Sequence, residues 1–405
     1  MNPRLSTSVP VASRVSGFTY AIRNIVGAAR QVEAAGRRVR YLNIGDPVPF
    51  GFQTPPELID AVARAMRQSC NGYGPSPGIK EGREAVAADY TRQRWPMSPD
   101  RTVLTAGTSE GIELALCALV EPGDEVLVPV PTYPLYTAVI AKLGARAVFY
   151  RTDPESGWLP DVDQIGSLVG PRTRALVLID PNNPTGAVYP TEVRRALIDI
   201  AELHGIAILA DEVYADLAYG GPIAPLGSLA PDAAIISFSS LSKAYIAPGW
   251  RAGWLAVGRS ERLDDVLAAI LKLADGRLCS TVPMQYAIAA ALNGARAHQP
   301  AFRKALADRA AITTDRLNAI PGMSCVAPRG AFYAMPRVNL PPGRTDEEFV
   351  LALLRETGVL CVYGSGFGTV PEDGYFRVVF LAPPQELAEI YDLIASFSSR
   401  YLAQS

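Results

Sequence analysis

Ser239-Ser240-Leu241-Ser242-Lys243-Ala244-Tyr245-Ile246-Ala247-Pro248-Gly249-Trp250-Arg251 follows the apolar run Ala234-Ile235-Ile236-Ser237-Phe238, so a hydroxyl-rich segment with one amine falls at the end of a strand pattern. A lysine amine condenses with an aldehyde, and Ser240, Ser242 and Arg251 are residue types that bind phosphate. Pyridoxal phosphate needs both, as Schiff-base partner and as anion cradle. Lys-Ala-Tyr alone equally suits a solvated loop, so the reading of Lys243 depends on the rest of the chain.

Outward from that stretch, short β-branched runs alternate with longer helical patterns from about Arg101 onward, which predicts an α/β fold. Seven runs read as strands of one mostly parallel sheet: Thr102 to Thr105, Glu125 to Val128, Ala147 to Tyr150, Ala175 to Ile179, Ile206 to Leu209, Ala234 to Phe238 and Trp254 to Val257. After about Gly294 the pattern changes to a long charged helix, Phe302 to Ile320, then isolated strands such as Tyr375 to Phe380, then a final helix from Pro384. This predicts a second, smaller α+β domain.

In an open parallel sheet, ligands bind beyond the carboxyl ends of the strands. Five such ends carry unusual polar residues: Gly107-Thr108-Ser109, Pro131-Thr132-Tyr133, Asn182-Asn183-Pro184-Thr185-Gly186, Asp211-Glu212-Val213-Tyr214 and the Lys243 segment. Gly107 opens a helix whose first amides, at Thr108 and Ser109, can hold phosphate oxygens. Tyr133, between prolines, offers a flat face to a pyridine ring. Asp211 beside the pyridine nitrogen would keep it protonated and able to accept electrons. Tyr214 and Asn183 can serve the phenolic oxygen. Arg377, inside a strand of the smaller domain, suits bidentate capture of a substrate carboxylate, although a structural ion pair would use the same residue.

The 405 residues carry a formal net charge of −2 with 49 % apolar and 19 % charged residues, a soluble globular composition without the basic footprint of a nucleic-acid binder. Cys70, Cys117, Cys279, Cys325 and Cys361 are scattered without a C-x-x-C spacing, which argues against a zinc site and suits a reducing cytoplasm. No metal is expected. No apolar run reaches the length of about 18 to 20 residues that a membrane span requires. Arg4, Arg14, Arg23 and Arg30 precede the first acidic residue, Glu33, a feature shared with transit peptides. Tyr20 to Arg37 reads better as one amphipathic helix, with Ile22, Val26, Ala29 and Val32 at helical spacing.

Together these segments resemble the class I/II aminotransferases of the fold type I pyridoxal phosphate enzymes. The likeness runs through Asn43-Ile44-Gly45-Asp46-Pro47, Tyr73-Gly74-Pro75, Pro131 to Pro134, Asn182 to Gly186, Asp211 to Tyr214, Ser240 to Lys243, Arg251 and Arg377. The resemblance implies that Lys243 carries the cofactor, Ser240 and Arg251 bind its phosphate, Asp211 pairs the ring nitrogen and Arg377 holds the α-carboxylate. It also implies that Tyr73 reaches the phosphate of a neighbouring subunit, hence a homodimer with shared sites. The implied division is an N-terminal segment 1–43 joining the small domain, a large cofactor domain 44–293 and a small domain 294–405. Tyr20-Ala21-Ile22-Arg23, Leu42 to Phe52 and Gly276 to Cys279 are most similar to the bacterial alanine (glutamate-pyruvate) branch of this family, with Asp46 standing where asparagine is frequent. That points to Gly45, Asn183, Arg377, Tyr20 and Arg23 around an amino-acid or 2-keto-acid substrate. Arg23 is the candidate cation for a distal carboxylate, and a solvated helix arginine is its alternative.

The expected reaction is a ping-pong transamination in which Lys243, displaced by the incoming amino acid, becomes the general base. A carbon-sulfur or β-lyase would share Lys243, Asp211 and Arg377, because the fold does not fix which bond breaks. A cofactor-binding regulator would need a DNA-binding domain for which these residues leave no room.

Overall fold

Alternation of side chains along the strands sorts the apolar residues onto the two faces of one central sheet. The computed structural model describes residues 9, 11–16 and 21–403, without the side chains at 13, 16 and 21–24. In Thr173–Ile179, Leu176 and Leu178 enter the core on one face, whereas Ala175, Val177 and Ile179 enter it on the other. Ala207–Asp211 repeats the pattern, with Ile208 and Ala210 set against Ala207 and Leu209. Burial on both faces is what a parallel sheet enclosed by helices requires.

The sheet runs in the order Thr102–Thr105, Gly253–Val257, Ile235–Ser240, Ala207–Asp211, Thr173–Ile179, Glu125–Val130, Arg146–Asp153, Leu159–Pro160. Gly253–Val257 is antiparallel to both neighbours, and the strands from Ile235–Ser240 to Arg146–Asp153 are mutually parallel. The seven expected strands are all present, but the count is corrected to eight by Leu159–Pro160, which pairs antiparallel with Thr152 and Asp153. Two residues, one of them proline, show no readable alternation, and the edge position suits a proline that cannot donate.

Thr108–Leu119, Pro134–Lys142 and Asp264–Gly276 cover one face of the sheet. The other face is covered by Lys80–Arg92, Thr191–His204 and Val282–Asn293, and its core continues into the carboxyl-terminal layer through Phe332, Phe349, Phe376 and Ile394. That layer holds the helices Gln299–Asn318 and Pro384–Leu402 and an antiparallel sheet in which Phe376–Val379 lies between Tyr333–Ala334 and Val362–Tyr363. Helix Asp346–Thr357 starts with a capping box in which Thr345 and Glu348 satisfy each other's backbone amides.

Arg40 to Leu42 are fastened to this layer, not to the central sheet. Arg40–Tyr41 pairs in parallel with Val359–Leu360, and Val379 donates its amide to the Leu42 carbonyl at 3.0 Å. The helix expected from Tyr20 runs from Ala21 to Ala34 and buries Ile25 and Ala29. Among the described residues no helix is long and apolar enough to cross a membrane, and no group of His, Cys, Asp and Glu could hold a metal ion.

Candidate active site

The carboxyl ends of five strands open on one edge of the sheet, where a cavity of about 990 Å³ is lined by Thr108, Tyr133, Asn183, Asp211, Ser240 and Lys243. Each comes from a different strand end except Ser240 and Lys243, which share one. Arg377 closes the cavity from the carboxyl-terminal layer, and Gly45 and Asp46 close it from the loop after Leu42.

Lys243 donates from Nζ to the Gly45 carbonyl at 2.8 Å and stands 5.9 Å from the Tyr214 ring centre and 5.7 Å from that of Phe332. Burial brings its amine down from 10.5 to about 8; Asp46 opposes that change, whereas Arg377 and Arg251 add to it. Near neutrality such an amine is far more available as nucleophile and base than an exposed lysine. Gly45 has to be glycine, because a Cβ there would lie 2.0 Å from the Tyr333 hydroxyl.

Asp211 ends its strand almost fully buried, accepting from the Tyr136 hydroxyl at 3.2 Å and the Val213 amide at 3.4 Å. Burial raises its carboxyl from 3.8 to about 6, and the two donors limit the rise. Behind it, Arg194 lies 3.3 Å from Asp180 and 3.8 Å from Glu212, a buried charge cluster that ties together the ends of the strands carrying Asn183 and Asp211. Ser237 donates to Glu212 as well, so the neighbouring strand that leads to Ser240 joins the same network.

At the anion end, Arg251 donates to the Ala106 and Pro248 carbonyls, each at 3.1 Å, beside the start of helix Thr108–Leu119. Gly107 precedes that helix at φ 83°, and a Cβ on it would come within 2.5 Å of Arg251 Nη2, so only glycine admits the guanidinium to the turn. Thr108 Oγ1 is buried with no hydrogen-bond partner among the described residues. Ser109, Ser240 and Ser242 line the same cavity. An unpaired buried hydroxyl, a guanidinium and a helix N-terminus facing one space fit a phosphate, and a lowered lysine amine at the other end fits an aldehyde. The residues present therefore fit pyridoxal phosphate.

Arg377 is buried, donating from Nη1 to Asn183 Oδ1 at 3.1 Å and from Nη2 to the Asn43 carbonyl. Its guanidinium lies 4.9 Å from the Tyr333 ring centre and 4.7 Å from that of Phe367. Tyr214 meets Tyr333 hydroxyl to hydroxyl at 2.8 Å, and burial holds the Tyr214 phenol well above its ordinary range.

Not every expected residue is brought to the cavity. Tyr73 is 87 % exposed and away from the cavity lining, and Tyr20 and the side chain of Arg23 lie outside the described residues. The helix that carries Arg23 nevertheless reaches the cavity through Val26, Gly27 and Arg30. Residues that sequence reasoning missed are Tyr136, one helical turn beyond Tyr133, and Tyr333, beside the glycine turn at Gly330. Arg30, one of the noted N-terminal arginines, was not assigned to the site.

A largely parallel sheet with a lysine, a carboxylate and an anion cradle on one edge defines a fold type I pyridoxal phosphate enzyme. The chain belongs to the family described as aminotransferase class I and II, whose model matches residues 39–394. It is 39 % identical to the alanine aminotransferase of Mycobacterium tuberculosis, over 96 % of this chain and 92 % of that protein. It is 37 % identical to the glutamate-pyruvate aminotransferase AlaA of Escherichia coli, over 96 % and 98 %. Among solved structures, the alanine aminotransferase of Pyrococcus furiosus superposes with a TM-score of 0.94 at 39 % identity, covering 96 % of this chain and all of that one. A Thermus thermophilus aspartate aminotransferase with maleate reaches 0.87 at 29 % identity, over 96 % of this chain and 100 % of that one. Backbone shape is thus shared by relatives named for different amino acids.

Proposed function

We propose that this aminotransferase moves the α-amino group of L-alanine to 2-oxoglutarate, giving pyruvate and L-glutamate. The observation that carries the reading is the full-length likeness to alanine and glutamate-pyruvate aminotransferases, combined with one cavity that gathers Lys243, Asp211 and Arg377. When bound, pyridoxal phosphate supplies an aldehyde that takes up the amino group and a pyridine ring that accepts electrons as the Cα proton leaves. Thr108, Ser109, Ser240, Ser242 and Arg251, with the turn at Gly107, hold the phosphate. Tyr133 would lie against the ring, and Asp211 would keep its nitrogen protonated. Asn183 has its acceptor committed to Arg377, so its amide donor and the Tyr214 hydroxyl are the groups that serve the phenolic oxygen. Arg377 would grip the α-carboxylate beside Gly45 and so present the Cα–H bond to Lys243, whose Nζ would take up the Cα proton and hold it for return.

The test is a panel of amino acids assayed with pyruvate and 2-oxoglutarate as acceptors. Alanine with 2-oxoglutarate, and glutamate with pyruvate, are expected to give the highest kcat/KM. Pyruvate and ammonia formed from an amino acid without any acceptor would overturn the reading in favour of a lyase. For the distal carboxylate of 2-oxoglutarate we assign Arg23, because its helix lines the cavity with Val26, Gly27 and Arg30. Arg23→Ala is expected to raise KM for 2-oxoglutarate about tenfold, the worth of one charge-assisted hydrogen bond, and to leave KM for alanine within about twofold.

We further propose a homodimer in which Tyr73 of one subunit reaches the phosphate held by the other, a reading that its 87 % exposure in the single chain supports. Sedimentation at twice the chain mass of 43.3 kDa is the expected result. The division into 1–43, 44–293 and 294–405 is likewise our assignment, supported by the pairing of Arg40–Tyr41 with Val359–Leu360. All five cysteines are unpaired, which supports the reducing, cytoplasmic setting we assign.

A further inference from the structure

One tyrosine in the cleft, Tyr333, touches three of the residues assigned above, and none of the roles so far uses it. Tyr333 sits on the strand Tyr333–Ala334, paired with Phe376–Val379 so that Tyr333 lies opposite Val379, on the same face as Arg377 one diagonal step away. That register places its ring 4.9 Å from the Arg377 guanidinium. From there its hydroxyl reaches out of the carboxyl-terminal layer to the Tyr214 hydroxyl at 2.8 Å, just beyond the end of a central strand. It also presses on Gly45, where a Cβ would stand 2.0 Å away and whose carbonyl receives Lys243 at 2.8 Å. Tyr333 is 2 % exposed and Tyr214 3 %, so water does not compete for this pair.

A hydroxyl pair shares one proton between its two oxygens and has a second proton to spend elsewhere. When Tyr214 donates to a phenolic oxygen, its own oxygen can only accept, and Tyr333 becomes the donor to it. A hydrogen bond received by Tyr214 makes its remaining O–H a stronger donor, because chains of hydrogen bonds polarise one another. We propose that Tyr333 is a positioning residue that orients and strengthens the Tyr214 hydroxyl as the donor to the phenolic oxygen of the cofactor. The inference rests on the cofactor placement given under the proposed function, but not on which amino acid is the substrate.

Withdrawing that support leaves more negative charge on the phenolic oxygen, which favours a proton on the nitrogen joined to Lys243. The groups facing the pair are Tyr133 and Asp211 around Tyr214, and Asp46, Arg251, Arg377 and Asp211 around Lys243. Tyr333→Phe leaves every one of these side chains in the sequence and keeps the ring beside Arg377.

The test is the pH midpoint of the visible absorption change of the cofactor-loaded protein, measured without any amino acid. Tyr333→Phe keeps the ring beside Arg377 and is expected to move the midpoint upward by about half a unit. In a Tyr214→Phe background the same substitution is expected to move it no further, because the route through Tyr214 is already gone. An unchanged midpoint in Tyr333→Phe overturns the proposal, and so does an equal shift in both backgrounds. Far-ultraviolet circular dichroism and cofactor content verify that each variant is folded and loaded. Since no amino acid is present, failure of the alanine assignment would leave this result intact, whereas loss of the absorption change in the parent protein would point to the cofactor placement instead.

Discussion

Lys243→Ala is expected to lower kcat for transamination by about 10⁴-fold or more, on the order of 5 kcal/mol of barrier. Two functions disappear with one amine. The nucleophile that receives the cofactor goes, and so does the base that removes and returns the Cα proton, which by itself is worth about 10² to 10⁴. The surroundings argue that the loss is chemical, not structural. Lys243 makes a hydrogen bond to the Gly45 carbonyl at 2.8 Å and no ion pair is recorded for it among the described residues, while its charged form is penalised by burial. Removing it takes a costly buried charge out of the cleft, so the melting temperature of the cofactor-free protein should hold or rise. Borohydride reduction of the loaded parent should fix the cofactor to the peptide bearing Lys243, and the variant should yield no labelled peptide. The pH profile follows from the same group. The neutral amine is the nucleophile, and its fraction grows as pH rises through about 8 instead of 10.5, so cofactor capture by the cofactor-free parent should speed up and level off above about 8. An alanine variant that retained multiple-turnover transamination would remove Lys243 from the mechanism.

The strand ends were legible because their punctuation is local. Apolar runs stop at glycine, proline or a polar residue; Asp211 closes its strand, and Gly107, Asn183 and Lys243 follow shortly after theirs. Arg377 was legible for a related reason: it is the one charged residue in the apolar run Phe376–Val379. Tyr333 was not, because its meaning arises from register with a strand more than forty residues away and from a hydroxyl that crosses to Tyr214. Tyr136 was hidden by its company. It sits in an apolar helix among Val139 and Ile140, where an aromatic reads as core, and only the packing of that helix on the sheet brings its hydroxyl to Asp211. The eighth strand was missed because Leu159–Pro160 is too short to show a period. Tyr73 could be placed only by family resemblance, since an exposed aromatic in one chain has no local signature of the subunit it would reach.

Asp211→Asn is expected to separate activity from stability in opposite directions. The substitution keeps the shape of the side chain and removes its charge. Without a carboxylate beside it, a pyridine nitrogen loses the partner that keeps it protonated, and the ring becomes a poor acceptor of the electrons released at Cα. The expected fall in kcat is about 10³-fold, on the order of 4 kcal/mol. Stability should move the other way in the cofactor-free protein. Asp211 has its carboxyl raised from 3.8 to about 6, so in the folded chain its ionised form is held at a cost. The sign of the linkage follows: the unfolded chain releases this proton near 3.8 and the folded chain only near 6. The cost is therefore fully present above about pH 6 and fades as pH falls toward 4, amounting to roughly 2–3 kcal/mol at neutrality. Asparagine carries no such cost, although the donors from Tyr136 and Val213 would then meet a neutral acceptor, which returns part of the gain. Thermal melts of the cofactor-free proteins should show Asp211→Asn at or above the parent at pH 7.5, with the difference shrinking by pH 5. A variant that lost stability and activity together at every pH would mean that Asp211 holds the strand end in place, and the ring-nitrogen assignment would lose its support. A residue whose removal stabilises the empty fold and disables the loaded one is kept for its chemistry, because nothing in the packing of the chain alone would retain a buried carboxylate at that strand end.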